Sequence, residues 1–210
     1  MNNRKFTSLV LTLCLLLAGC GMPDNKKEEE KGKEYPDRAM YELKGNVKSV
    51  KTIVNNSGVD EPSYELAFDK NGKCTKHMLD GIWDEEEEHL YSTERNDKEQ
   101  VVSYTVTGKE SKKKRVEIHY SYDEEGKMAS RNSMWNNEEY FIFEKFTYNK
   151  SGYMTTLVLE ETNGNNLIKT TYNYRSIDKA GNWTERTGHE VYGNGRENIV
   201  IEKRQIEYYQ

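Results

Sequence analysis

The stretch Tyr120-Ser-Tyr-Asp-Glu-Glu-Gly-Lys-Met128 decides the fold, because its pattern returns along the chain at a nearly constant interval. In each copy an aspartate or asparagine is followed three positions later by glycine, with aromatic or aliphatic residues at alternate flanking positions. Asp or Asn at the first position accepts hydrogen bonds from the turn backbone, and Gly at the fourth adopts a positive φ. The stretch therefore predicts a tight turn between two antiparallel strands that share one apolar face.

Four copies of this turn are complete, and a weaker copy, Asn96-Asp-Lys-Glu99, has glutamate in place of glycine. The fourth positions of successive turns are 27, 27, 26 and 29 residues apart. A constant period of this kind is typical of a repeat architecture. The candidate structural sites are the first and last residues of the complete turns: Asp69 and Gly72, Asp123 and Gly126, Asn149 and Gly152, and Asp178 and Gly181.

Each period also contains a second group of turn residues about halfway along, such as Asn163-Gly-Asn-Asn166, so it holds two strands. The sequence thus predicts an all-β fold, an antiparallel meander of about a dozen strands built from hairpin repeats of ~27 residues. Twisted sheets of more than ~10 strands rarely stay open and flat. We therefore expect a curved sheet or a barrel-like roll.

The cysteines are Cys14, Cys20 and Cys74, of which only Cys74 lies in the repeats. A leftover cysteine in an exported protein can be a reactive thiol. However, Cys74 lies two residues after its turn, where the other copies carry Val101, Met128, Met154 and Trp183. This alignment favours a core position for Cys74.

The repeat resembles the YD repeat of RHS and teneurin-type proteins, on residues 66–74, 120–128 and 146–154. Members of that family wind many repeats into a large β-shell that encloses a toxin, and five copies are too few for such a shell. The YwqK/MORN-like lipoproteins, built from short aromatic-glycine hairpins, are a second resemblance. The opening Tyr41-Glu-Leu-Lys-Gly-Asn-Val-Lys-Ser-Val50 is similar to their lead-in strand.

The first 19 residues are interpreted as a signal peptide, because Arg4 and Lys5 precede a short apolar run that ends in small residues. The run is too short to span a bilayer comfortably, which takes ~20 residues. Leu17-Ala18-Gly19-Cys20 resembles a bacterial lipoprotein signal. The resemblance implies cleavage between Gly19 and Cys20 and diacylation of the Cys20 thiol.

The mature chain is divided into a lipidated flexible tether, residues 20–40, and a repeat-built β domain, residues 41–210. The tether contains a Lys-Glu-rich run, residues 26–34, that has no apolar side chain to bury. In lipoproteins of this kind, an aspartate directly after the lipidated cysteine retains the protein at the inner membrane. This chain has Gly21 there, which implies an outer-membrane location. The run also resembles surface-export signals, so both a periplasmic and a surface-exposed position stay open.

No motif for a metal or a cofactor is present, and we expect neither. His77, His89, His119 and His189 fall in different copies without metal-ligand spacing, and His119 is expected to face away from the core. Removal of Arg4 and Lys5 with the signal takes the net charge from −5 to −7. Nucleic acid binds to basic surfaces, so we do not expect a nucleic-acid partner for this acidic chain.

We expect a non-enzymatic, lipid-anchored binding module of the cell envelope, with a protein or glycan partner, either an immunity-type protein or an accessory. A structural or lipid-handling protein and an envelope hydrolase are the alternatives. A flat exposed aromatic strip would favour binding, and a deep concave apolar cleft would favour lipid handling. Carboxylates or histidines clustered in a pocket would favour catalysis. The candidate sugar-stacking aromatics, which could instead be core, are Tyr104, Trp135, Tyr140 and Trp183.

Overall fold

The computed structural model describes residues 35–56, 58–77, 88–135, 140–161 and 167–210. The predicted signal peptide, its cleavage residue Gly19 and the predicted lipidation site Cys20 lie outside the described residues. The described chain forms one short helix and twelve strands. Their bounds are α1 Asp37–Met40, β1 Val47–Asn56, β2 Val59–Phe68, β3 Cys74–Lys76, β4 His89–Arg95, β5 Val101–Gly108, β6 Lys114–Tyr122, β7 Met128–Trp135, β8 Tyr140–Tyr148, β9 Met154–Glu161, β10 Leu167–Ile177, β11 Trp183–Tyr192 and β12 Glu197–Tyr208.

All twelve strands belong to one antiparallel sheet in the order β3-β2-β1-β12-β11-β10-β9-β8-β7-β6-β5-β4. Neighbours in sequence are neighbours in the sheet, except that β12 returns to pair with β1 and that β3 and β4 form the two edges. The predicted all-β antiparallel meander is confirmed. The sheet curls until side chains of β1 and β2 share a core with those of β5 and β6, but it is not closed. We call the curled sheet the roll.

The turns that set the repeat have the predicted conformation. Gly72, Gly126, Gly152 and Gly181 have φ of 88°, 81°, 84° and 85°. Within the turns, Oδ1 of the first residue accepts a hydrogen bond from the backbone N–H four positions on, as in Asp123 with Lys127 at 2.8 Å. Glu99 has φ 62°, so the weaker copy closes in the same left-handed conformation without a glycine.

The residue two positions after each turn faces the interior. Val101, Met128, Met154 and Trp183 are at most 8% exposed. Cys74 is half-buried on the edge strand β3 and packs against the same core. His119 lies on the outer face of β6, exposed, as its position in the alternation predicts.

A repeated tyrosine hydrogen bond joins each repeat to the preceding one. The hydroxyl of Tyr122 donates to the carbonyl of Val101 at 2.7 Å. Two equivalent bonds follow along the sheet, from Tyr148 to Met128 O at 2.9 Å and from Tyr174 to Met154 O at 2.7 Å. Tyrosine can therefore fill the interior of the roll while its polar tip stays satisfied.

Residues 35–46, which we call the strap, belong to the folded domain. Tyr35, Asp37 and Met40, which fall within the predicted tether, are at most 8% exposed. They precede the first repeat, and their partners lie in distant strands and turns, so the repeat pattern does not mark them.

The strap lies across one end of the roll. In a meander of hairpins alternate turns lie at the same end, so all five repeat turns share this end, which we call the strap end. Tyr35 N–H donates to Asn71 O at 2.8 Å, in the β2–β3 turn. At its other side, Lys44 N–H donates to Asn182 Oδ1 at 2.7 Å, next to the β10–β11 turn.

We predict that Gly72→Ala destabilises the protein more than Gly195→Ala. Both glycines have positive φ, 88° and 79°, so each alanine meets a backbone strain of about 1–2 kcal/mol. A Cβ on Gly72 would also lie 2.7 Å from the backbone oxygen of Tyr35, whereas a Cβ on Gly195 would meet nothing within 4 Å. Urea unfolding of the two variants measures the difference. Equal losses would contradict the packing of the strap on the turn.

Candidate functional site

Glu42 carries its carboxylate from the strap into the roll, where the side chain is only 7% exposed. Its Oε1 accepts hydrogen bonds from Met154 N–H at 2.8 Å and from the Tyr174 hydroxyl at 3.2 Å. Its Oε2 accepts from Trp183 Nε1 at 3.3 Å and from Arg186 Nη1 at 3.1 Å. A buried carboxylate needs such partners, because burial without them is costly.

Arg186 is the centre of this buried group. Its Nη2 pairs with Glu202 at 2.8 Å, and its guanidinium lies 3.9 Å from the ring centre of Tyr172 and 4.2 Å from that of Trp183. Burial by itself would lower the pKa of Arg186, but Glu202 and Glu42 raise it well above its ordinary value. Burial, followed by Glu202, likewise raises the pKa of the Tyr172 hydroxyl. The group is therefore a permanent ion cluster rather than a proton-transfer site.

A second ion pair lies inside the roll between neighbouring strands. Arg131 on β7 and Glu144 on β8 are register partners, and Arg131 Nη2 donates to Glu144 Oε1 at 2.8 Å. The Glu144 side chain is 7% exposed. Burial opposes the charge on Arg131, yet Glu144 raises the Arg131 pKa above its ordinary value. This pair also serves the packing of the interior.

Asp37 connects the two unpaired edges of the sheet. We call the gap between β3 and β4 the seam. Asp37 Oδ2 accepts a hydrogen bond from Cys74 N–H on β3 at 2.7 Å. Arg95 on β4 donates from Nη1 and Nη2 to the same carboxylate, each at 2.7 Å. The Asp37 side chain is only 1% exposed, so one buried carboxylate bridges both edges.

A cavity of about 50 Å³ lies beside this bridge, lined by Met40, Cys74, His77, Arg95 and Tyr104 among others. An apolar cavity that holds benzene measures about 150 Å³, so this cavity, as the described residues bound it, is small for a sugar ring or a lipid chain. The His77 ring stacks on Tyr104 with ring centres 4.0 Å apart. Burial, followed by the nearby Arg131, lowers the pKa of His77 to about 3, so its ring is neutral at ordinary pH.

The residues singled out in the repeat turns are brought together at the strap end, where their hydrogen bonds close the turns and support the strap. Of the four aromatics that could stack on a sugar or lie in the core, Tyr104 and Trp183 are core residues, 4% and 0% exposed. Trp135 and Tyr140 are half-buried. Of the acidic run at 84–88, only Glu88 lies within the described residues, and the bases Lys112, Lys113 and Lys114 are exposed.

Among the residues that the structure describes, no group of three or more His, Cys, Asp or Glu side chains is placed to hold a metal ion. A helix of the length and apolarity needed to cross a membrane does not occur within the same residues.

The outer face of the roll carries an apolar surface at the end opposite the strap. Phe141, Leu167, Val191 and Ile199 are large apolar side chains with exposed fractions of 37%, 41%, 37% and 60%. We call these four residues the belt. Each lies close to the end of its strand that is farther from the strap.

The register of the sheet makes Leu167, Val191 and Ile199 diagonal neighbours, whereas Phe141 lies two strands from Leu167, on the far side of β9. Phe143, next to Phe141 on the same face, pairs with Glu160, which in turn pairs with Leu167. Val191 pairs with Lys169, and Ile199 pairs with His189, so each belt residue is diagonal to the next across β10, β11 and β12. Diagonal neighbours on one face of a sheet lie within reach of large side chains.

The sequence analysis missed the belt, because the repeat restricts the inward positions and leaves the outward ones free. Nearer the strap the same outer face carries hydroxyl pairs instead, such as Ser121 with Ser130 at 2.7 Å and Thr147 with Thr155 at 3.2 Å. The belt could have been found from the apolar residues at outward positions of β8, β10, β11 and β12, but only once the ends of these strands were known.

No protein-family model and no curated protein matches the chain. The similarity to YD-repeat and MORN-like proteins therefore stays a resemblance. Among solved structures, the chain is similar to a porin-like protein from Bacteroides uniformis ATCC 8492, with a TM-score of 0.44 and 10% identity. The similarity covers 78% of this chain and 99% of that one.

We predict that Glu42→Ala costs about 3 kcal/mol or more of unfolding free energy, because it removes the acceptor of Met154 N–H and Trp183 Nε1 and one of the two carboxylates paired with Arg186. The matched control is Glu207→Ala. Glu207 is 67% exposed and faces Lys48 at 3.5 Å, so its loss should cost less than about 1 kcal/mol. Chemical denaturation compares the two. A similar loss for both would show that the Glu42 contacts do not hold the strap.

We predict that the protein loses stability as the pH falls from about 6.5 towards 3, in part through His77. The unfolded chain binds a proton at His77 below pH ~6.5, whereas the folded chain, with a His77 pKa of about 3, does not. The contribution of neutral His77 to the free energy of unfolding is therefore complete above pH ~6.5 and is lost as the pH falls. His77→Phe, which keeps a ring against Tyr104, should flatten the slope. Unfolding free energies measured between pH 4 and 8 check this, and an unchanged slope would contradict it.

Proposed function

We propose that this chain is a lipid-anchored protein of the cell envelope that binds a protein partner through the belt and catalyses no reaction. The single observation that carries the proposal is the belt: four large apolar side chains, 37–60% exposed, lie at one end of the same outer face, and three of them are diagonal neighbours. Single exposed apolar residues are ordinary, but contiguous ones rimmed by polar residues are typical of interaction sites.

The chemistry of the belt favours a protein partner over a glycan. Three of its four members, Leu167, Val191 and Ile199, are aliphatic, and the polar neighbours on the same face include Glu160 and Lys169. Protein interfaces combine an apolar centre with a polar rim. Sugar sites instead need exposed aromatic faces, and Tyr104 and Trp183 are buried.

The direction of the chain supports an anchored display. The strap end receives the chain that comes from Cys20, the predicted lipid site, whereas the belt lies at the other end of the strands. Attachment at the strap end would leave the belt accessible on the side away from the anchor.

The state of the buried carboxylates supports a non-catalytic function. Glu42, Glu144 and Glu202 each bond to an arginine within the roll. Such pairing leaves them without the open substrate position that a hydrolase needs. The cavity at the seam, about 50 Å³, is likewise small for the lipid-handling alternative.

The test is site-specific photo-crosslinking in intact cells. A photoreactive residue in place of Ile199, which is 60% exposed, should form a discrete protein adduct. The matched position is His119, which is exposed on the outer face of β6 outside the belt. Leu167→Lys, which puts a charge into the belt, should abolish the Ile199 adduct and leave the fold intact.

Equal adducts at both positions, or none at Ile199, would contradict binding through the belt. The anchor is tested separately with Cys20→Ser, which should move the protein from the membrane fraction to the aqueous phase of a detergent separation. Wild-type protein in the aqueous phase would contradict lipidation.

A further inference from the structure

We propose that the first residues of the strap form a latch that holds the seam closed, and that release of the latch separates β3 from β4. The inference concerns how the roll opens, and it does not depend on the identity of a binding partner.

The seam is the weak line of the sheet. Every neighbouring pair of strands in the order from β3 to β4 shares backbone register partners, but β3 and β4 themselves share none within the described residues. A sheet interface without backbone hydrogen bonds must be held by side chains or by another segment. The polar connection here comes from the strap.

One carboxylate makes that connection. Asp37 accepts the backbone N–H of Cys74 on one edge and the guanidinium of Arg95 on the other, with all three distances 2.7 Å. Burial removes competition from water, so these charge-assisted bonds are strong. Loss of the carboxylate would leave a donor without a partner on each side of the seam.

The rest of the strap is fastened to other parts of the roll. Arg38 donates to the carbonyls of Val47 and Asp69 at 2.9 and 2.7 Å. Glu42 and Lys44 bind β9, β10 and the residues around the β10–β11 turn. The strap therefore contacts the seam through Asp37 and the far strands through Glu42 and Lys44. Substitutions can address each set of contacts separately.

Ring contacts among the described residues add to the bridge: the centre of the Tyr35 ring lies 5.1 Å from Lys73 Nζ and 4.8 Å from the Arg95 guanidinium, and His77 stacks on Tyr104 of β5. Aromatic stacking tolerates small shifts of the two rings, whereas the Asp37 bonds require both edges at fixed positions. The Asp37 bridge therefore sets the closed geometry.

The test measures the distance across the seam by electron paramagnetic resonance. The full chain carries Cys14→Ser, Cys20→Ser and Cys74→Ser, with spin labels introduced through Thr75→Cys on β3 and Ser92→Cys on β4. Both label positions are exposed. With the native strap we expect one narrow distance, and Asp37→Asn should add a longer and broader population.

Two controls separate opening of the seam from general loosening. Glu42→Gln removes the charge that binds the strap to Arg186 on the far strands and should leave the narrow seam distance in place. A label pair at Lys145→Cys and Thr171→Cys, on β8 and β10, should report the same distance with and without Asp37→Asn.

The proposal is overturned if Asp37→Asn leaves the seam distance unchanged, or if it broadens both label pairs alike. Should Asp37→Asn fail to fold, Arg95→Lys removes one of the two bonds from the β4 side and keeps the charge. It should then give a partial longer population, and an unchanged distance in that variant would also overturn the latch.

Discussion

The burial of the Glu42 carboxylate is the constraint on which the rest of the structure depends. Four donors from three strands converge on it, including the guanidinium of Arg186. An arginine inside a sheet is tolerable only when it is neutralised and hydrogen-bonded. The strap must therefore lie across the end of the roll before the interior of β9 to β11 is complete, and the repeats alone do not suffice.

This arrangement explains how a chain with so little aliphatic content can fold. Charged residues make up 32% of the sequence, and several of those inside the roll are paired, such as Arg131 with Glu144. The 15 tyrosines supply apolar area, and the repeated bond from Tyr122, Tyr148 and Tyr174 to the preceding repeat satisfies their hydroxyls. Packing and polar satisfaction come from the same side chains.

The two ends of the roll have different roles. The strap end is closed by turns, by the strap and by the Asp37 bridge. The opposite half of the outer face carries the belt, with Ile199 60% exposed. A sheet built from hairpin repeats allows its two ends to differ in this way. The length of the hairpins sets the distance between the ends, and the outward side chains can vary along each strand without disturbing the core.

The sequence by itself determined the strands, the turns and the inward face, because Asp123 and Gly126 act on their own turn and alternation acts within one strand. It also separated His119 from the core. Only the tertiary structure decided the place of the strap. Glu42 meets Arg186 across 144 residues, and Asp37 meets Arg95 across 58. No local pattern encodes such partners, and outward positions such as Leu167 and Ile199 become neighbours only through the register of the sheet.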